Sequence, residues 1–459
     1  VSFAPVLPVV LLVALMGLPG GAAAGGGDGS GGTLADAVSG LVVLGCAVRV
    51  VRGARKPLTR LAALVLGLPV AGVALAAAGS VGATGLTGMA RYLQVFVLVP
   101  AAVVLLVRDE RDLRLVAWSF VALALWQGGV GVRQYLTGTG ASYQGADVRA
   151  VGTFGPNDIM GMATVVSFGL VCAVGLALGS GTRPGAGNSR AGQAKTASHG
   201  VRNQRTVAAL CALLLVAPLA LSFSRGAWIA TVVALSTQLV MAGLRRAVRV
   251  FAAVAAAAVV LVAGMGVGSQ MLSERLGSIT QVTDAPDQSV TDRYTMWAAA
   301  VDMWRAEPLA GVGLKRFPEE RDGHASLALS SGSDVAGAGT DFHRQPLLSP
   351  HNMYLLILSE QGLIGLTALA GSWAALLVCG LRRATARTLG ATANGRPGSA
   401  RSAHPAKDCA SIACGLLVWQ LTDFVYADIG GPSTVLTAVV LGMAAWWALA
   451  DRTTSEAAR

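Results

Sequence analysis

The chain has 459 residues, 54% of them hydrophobic and 13% charged, with a mean hydropathy of +0.60 and a formal net charge of +11. A water-soluble globular protein of this length does not combine those values, so the composition points to a polytopic membrane protein.

Apolar runs of about 17 to 25 residues, each able as a helix to cross a hydrocarbon core of about 30 Å, recur along the whole chain. They fall near 3–18, 33–51, 61–79, 89–107, 114–135, 158–179, 206–222, 227–244, 249–268, 352–381, 409–427 and 432–450. The first precedes "GGAAAGGG" and has the look of a signal peptide, but no positive segment leads it and the chain goes on crossing, so it is read as a helix. The expected fold is thus an all-α, polytopic membrane helical bundle of about 12 transmembrane helices. Residues 1–268 carry helices one to nine with basic cytoplasmic loops, 269–351 form one large extracytoplasmic loop with short amphipathic helices, and 352–459 carry the last three.

Lys and Arg set the expected orientation. Alternate connections hold 24 of the 35 basic residues and only six of the acids, a balance of +18, whereas the opposite side carries −7. The positive-inside rule makes the basic side cytoplasmic, with both termini there and the protein in the plasma (inner) membrane. The high pI is then a record of topology, and no nucleic-acid partner is read from it. Two basic loops, "GSGTRPGAGNSRAGQAKTASHGVRNQR" and "RRATARTLGATANGRPGSARSAHPAKD", lack apolar periodicity and read as disordered linkers. His199 and His404 lie in them and carry no functional reading. The six cysteines lie in predicted helices or at their cytoplasmic edge, without a Cys-x-x-Cys, as small buried apolar residues.

The external connection of about 80 residues between the ninth and tenth runs is too long for a passive loop. Within it "DRYTMWAAAVDMWRAEPLAGVGLKRF" places Tyr294, Trp297, Val301 and Trp304 on one helical face, suited to the headgroup layer or to packing as a lid on the bundle. "EPLAGVG" ends that helix by Pro and Gly. The following Ser/Gly/Ala segment reads as flexible and able to order around a ligand.

Three stretches gather chemistry at the outer ends of helices. In "SPHNMYLLILSEQGLIG" Ser349 is a favoured N-cap and Pro350 a favoured first helical residue, which puts His351 in the first turn. The positive end of a helix dipole disfavours imidazolium, and a neutral histidine can act as a general base. "SFSRGAW" puts Ser224, Arg225 and Gly226 at the eighth helix, and "GTFGPNDIMG" puts Gly155, Pro156, Asn157 and Asp158 at the sixth. Arg293 opens the amphipathic helix, and Arg149 lies just before the Gly-Thr-Phe turn. A guanidinium at a helix end also serves as a plain interfacial anchor; several of them beside helix N-termini suit a phosphate-bearing ligand. His324, His343 and Asp341 have no recognised ligand spacing, so no metal site is expected.

These residues resemble the O-antigen ligase and Wzy-type polymerase superfamily of bacterial membrane glycosyltransferases. "HNMYLLILSEQGLIG" is similar to its His-Asn-x9-Gly-x-x-Gly signature at His351, Asn352, Gly362 and Gly365. "SFSRGAW" resembles its Ser-Arg-Gly element, and "GTFGPND" its Gly-Thr-Phe-x-x-Pro-Asn element, departing from it where members often carry Asn before the Pro. The resemblance spans about Arg91 to Val378. It implies a glycosyltransferase-C-like bundle with an outward-facing site, where an acceptor hydroxyl attacks the anomeric carbon of a glycan on a polyprenyl pyrophosphate carrier. Arg225 and Arg293 would bind the pyrophosphate, His351 would orient or deprotonate the acceptor, and Asn352, Asn157 and Arg149 would contact substrate. No cofactor or metal is implied; the partners are the donor, a glycan, lipid or protein acceptor, and the lipid bilayer. The Ala-, Gly-, Val- and Arg-heavy composition, that of a high-GC genome, turns the expectation to surface or cell-wall polysaccharide, with ligase and polymerase both open. The alternative is a secondary transporter or lipid-linked glycan flippase, which calls for paired broken helices in repeated halves; no clear internal repeat is present.

Overall fold

A computed structural model describes residues 4–18, 34–53, 58–78, 82–143, 146–158, 160–179, 191–245, 248, 288–330, 333–335, 343–345, 347–393, 407–431 and 433–450. The described chain is an all-α bundle. In order it runs α1 (Leu7–Leu15), α2 (Leu34–Val51), α3 (Arg60–Ala78), α4 (Ala83–Leu93), α5 (Val99–Leu106), α6 (Glu110–Thr137), α7 (Gly161–Leu178), α8 (Ala191–Leu221) and α9 (Arg225–Ala242). There follow α10 (Gln288–Ala306), α11 (Phe317–His324), α12 (Met353–Ala393), α13 (Lys407–Asp423) and α14 (Thr434–Leu449). Two short antiparallel hairpins decorate it, β1 (Ala141–Tyr143) with β2 (Ala146–Arg149), and β3 (Ser333–Val335) with β4 (His343–Gln345).

Among the described residues eight helices are long and apolar enough to cross a membrane. One of them joins α4 and α5 through a π-turn at Gln94–Leu98. The run expected at 249–268 lies outside the described residues. Helix α8 begins at Ala191, inside the first loop read from sequence as disordered, and α12 continues to Ala393, inside the second. The physical reason is propagation: extending an existing helix through Ala, Gln, Lys, Thr and Arg needs no new nucleus.

The interior is aromatic and tightly packed. Phe168 and Trp419 meet edge-on at 4.8 Å, and Trp373 bridges Phe96 and Phe424 at 5.6 and 5.1 Å. Several polar side chains between helices are bonded across them. Trp419 Nε1 donates to Thr231, Thr231 donates to Ser167, and Gln238 Nε2 donates to the carbonyls of Val171 and Ser411, as a medium without water requires. At the end where α6 and α13 begin, Arg114 Nε bonds Asp408 at 2.5 Å. Among the described residues no cysteine is in a disulfide.

At the opposite end two features position the site. Helix α12 is broken at Gly362, where φ is 62° and ψ is −164°. Backbone from residues 308–313 fills the break: Val312 and Gly313 donate to Ser359 O and Glu360 O, and Leu363 donates to Pro308 O at 2.9 Å. A broken helix so occupied offers no open cradle for a transported ligand. The buried carboxylate of Glu360 accepts from Tyr92 Oη at 3.1 Å and from the Phe317 amide at 3.4 Å, tying α11 to the bundle. Gly365, the second glycine of the signature, packs on Gly72 of α3, where a methyl group would meet backbone at 2.6 Å.

Helix α10 docks by a face other than the aromatic one. Asp292, Thr295, Met296, Ala299, Ala300 and Met303 are buried, while Tyr294 is 52% exposed and Trp297, Val301 and Trp304 are half-buried along the flank. Small side chains let α10 lie close on the bundle, and indole rings are too broad for that seam.

Candidate active site

The start of α9 is built by a short turn. Ser222 and Phe223 follow α8, Phe223 takes a left-handed φ of 50°, and Ser224 then caps α9 by accepting the Ala227 amide at 3.3 Å. Arg225 is therefore the first residue of the helix. Arg149, at the end of β2, donates from Nε to the Ser222 carbonyl at 3.0 Å, and the Ala150 amide donates to Leu221 O at 3.1 Å. Arg149 thus holds the turn that presents Arg225.

The start of α12 repeats the device, and it corrects the position expected for His351. The N-cap is Asn352, whose Oδ1 accepts the Leu355 amide at 3.1 Å; it is not Ser349. His351 precedes the helix with a φ of 49°, and Ser349 bonds by its hydroxyl to Asp428. The Met353 amide donates to Phe424 O and Ala427 O, and Trp297 Nε1 of α10 donates to Pro350 O at 2.8 Å. His351 is thereby fixed from three sides in a backbone conformation that costs free energy outside glycine.

Residues 152–158 also depart from expectation. They form a 3₁₀ turn ahead of α7, which begins only at Gly161. Asp158 accepts the Ser433 amide at 3.1 Å and so ties this turn to the start of α14. Burial raises its pKa, against the lowering effect of its bonds to Ser433 and Gly161. Asn157 lies in the backbone of the turn.

These starts converge. Burial and the neighbouring Arg225 guanidinium pull the pKa of Arg293 down, against weaker upward pulls from Tyr426, Asp428 and Tyr294. Among the described residues neither guanidinium has a hydrogen bond or an ion pair. The two guanidiniums are close enough to feel each other's charge, and a pair of cations with forked donors is the chemistry that suits an anion. His351 lies within the field of Arg293 and has Asp428 Oδ2 at 3.9 Å from its Nδ1. Nearly half of its side-chain surface, 48%, is accessible, yet protein crowds its remaining sides. Desolvation lowers its pKa below the usual value of 6.5, Asp428 raises it, Arg293 lowers it, and the net direction is down. The shift favours the neutral ring, beside a carboxylate able to stabilise it once protonated.

Asp428 is the residue that sequence reasoning missed. Its only trace was an acid in the short "YADIGGP" link, counted there among the acids of one side. Among the described residues no group of three or more His, Cys, Asp or Glu side chains is placed to hold a metal; Asp341 lies outside the described residues.

No curated protein sequence matches the chain. Residues 210–370 match the family model Wzy_C, described as O-antigen ligase, and the matched segment contains Arg225, Arg293, His351 and both signature glycines. Over this segment, about a third of its length, the chain is similar to the O-antigen ligase family.

Proposed function

We infer that the protein is an integral-membrane glycosyltransferase acting at the outer membrane face, moving a glycan from a polyprenyl pyrophosphate carrier to an acceptor hydroxyl, as ligase or polymerase, for surface or cell-wall polysaccharide. The observation that carries the reading is the grouping, at one end of the bundle, of two arginines without a bonded partner among the described residues and a histidine with Asp428 Oδ2 3.9 Å from its Nδ1. His351 takes the proton of the acceptor hydroxyl. The oxygen forms its bond to the anomeric carbon from the face opposite the leaving group, and the bond from that carbon to the pyrophosphate oxygen breaks with its electron pair. Arg225 and Arg293 receive the growing charge, and Asp428 stabilises the imidazolium. Asn352 caps α12, Arg149 bonds the turn ahead of α9, and Asn157 sits in the turn that Asp158 ties to the start of α14.

The test is a reconstituted transfer assay in proteoliposomes with the native lipid-linked glycan and its acceptor. Transfer is expected in EDTA without added divalent cation, since guanidinium supplies the charge stabilisation. Absence of transfer, or loss in EDTA restored by Mg²⁺, would overturn the reading.

The pH dependence follows from His351. A base with a lowered pKa stays neutral to lower pH, so kcat/KM should fall only as pH drops below about 6.5. Asp428→Asn removes the group that raises this pKa, and the acid limb should move to still lower pH. A pH profile of kcat/KM for both proteins checks this; a limb that moves upward in the variant contradicts the arrangement.

A further inference from the structure

We propose that a groove between α10, the end of α11 and the first turn of α12 is the binding site for the acceptor glycan, a neutral carbohydrate chain whose terminal hydroxyl it delivers to His351. This rests on the glycosyl-transfer reading above and goes beyond it by naming a second site and its ligand class.

The groove has a volume of about 480 Å³, within the range of small-molecule sites. Its lining is mixed. Trp297, Val301 and Leu355 give an aromatic and aliphatic floor; Asp302, Arg305 and His324 give polar rims. Asp302 and Arg305 are 53% and 69% exposed and pair at 3.3 Å, so their charges cancel locally. A pyranose has the matching surface: a C–H face that stacks on indole, and a ring of hydroxyls that donate to carboxylate and accept from guanidinium. A phosphate group would find no net positive charge here. The contrast with Arg225 and Arg293, two cations without partners, divides the charged and uncharged substrate parts between two places.

Direction assigns the groove to the acceptor. Arg293, Trp297, Val301 and Arg305 lie on successive turns of α10, and at 1.5 Å per residue the groove leads about 18 Å away from Arg293. Its near end is the Trp297 indole, whose Nε1 holds Pro350, the residue before His351. Leu355, in the first turn after His351, lines the same groove, so a hydroxyl at its near end lies next to the His351 segment.

The experiment measures binding to the purified full-length protein in detergent of two probes, separately. One is a set of neutral oligosaccharides of about two to four sugars prepared by mild hydrolysis of the cell's own surface polysaccharide; the other is polyprenyl pyrophosphate. Ala298 is exposed in the groove wall, and Ala298→Trp fills it without touching the core. Oligosaccharide affinity should fall about tenfold or more in Ala298→Trp, with polyprenyl pyrophosphate binding unchanged. The exposed double variant Asp302→Ala/Arg305→Ala should weaken the same probe and stands in if the tryptophan variant folds poorly. Equal oligosaccharide affinity in wild type and variants, or no oligosaccharide binding by wild type at millimolar concentration, overturns the groove proposal. Failure of the underlying reading shows elsewhere: polyprenyl pyrophosphate would then bind wild type and Arg225→Ala alike.

Discussion

His351→Ala and Arg225→Ala are expected to fail in different ways. Removing the base should lower turnover about 10²- to 10⁴-fold and leave donor affinity nearly unchanged, because the proton moves only in the transition state. Removing Arg225 should weaken binding of polyprenyl pyrophosphate itself, since that charge contact exists in the ground state, and lower turnover further as charge grows on the leaving oxygen. Arg225→Lys should restore part of the affinity, for an ammonium keeps the charge and loses the fork. Donor affinity and single-turnover rate, measured for each variant after checking its fold in detergent, separate the roles. His351→Ala that loses donor binding yet keeps its rate on bound donor would show the roles to be misassigned. So would Arg225→Ala with normal binding and turnover.

The second large effect concerns the break in α12. At φ 62° and ψ −164° a side chain at position 362 is strained, at a cost of about 1–3 kcal/mol. Its Cβ would also lie 2.3 Å from Leu309 O. Gly362→Ala should therefore expel the 308–313 loop from the helix, lower the melting temperature and abolish transfer, because that loop joins α10, carrying Arg293 and Trp297, to the bundle. Gly371→Ala lies in the same helix with nothing within 4 Å of the added methyl. It should be neutral or stabilising by up to about 1 kcal/mol. Thermal unfolding of both in detergent makes the comparison, and a Gly362→Ala protein that melts with wild type would remove the argument.

The two effects meet at one physical arrangement. The His351 backbone is held left-handed by the Asn352 cap, the Ser349–Asp428 bond and the Trp297–Pro350 bond. Trp297 in turn is placed by a helix anchored through the Gly362 break. A rigid frame of this kind keeps a base within reach of its proton and avoids reorganisation during reaction.

What the sequence determined by itself is the membrane bundle and the chemistry-bearing residue types. Apolar runs longer than a hydrocarbon core leave a chain no other solution than helices, so α2, α3, α6, α7, α9 and α12 lie close to the runs read from hydropathy. Arg225, Arg293 and His351 stand out in the sequence as candidates because charged or titratable groups at apolar helix starts are costly unless they have work to do there. The tertiary structure alone decided the rest. Ser349 and Pro350 carry a sound local capping signal, but a carboxylate 79 residues away captured the serine hydroxyl, and the cap passed to Asn352. The most aromatic face of α10 was not the buried one, because burial depends on what a neighbouring surface admits, and there Asp292, Thr295 and a row of Ala and Met are buried. Asp428 could not be singled out for the same reason. A lone acid in a short link acquires its role only from the histidine that the fold sets beside it, and no local pattern encodes a contact between segments so far apart in the chain.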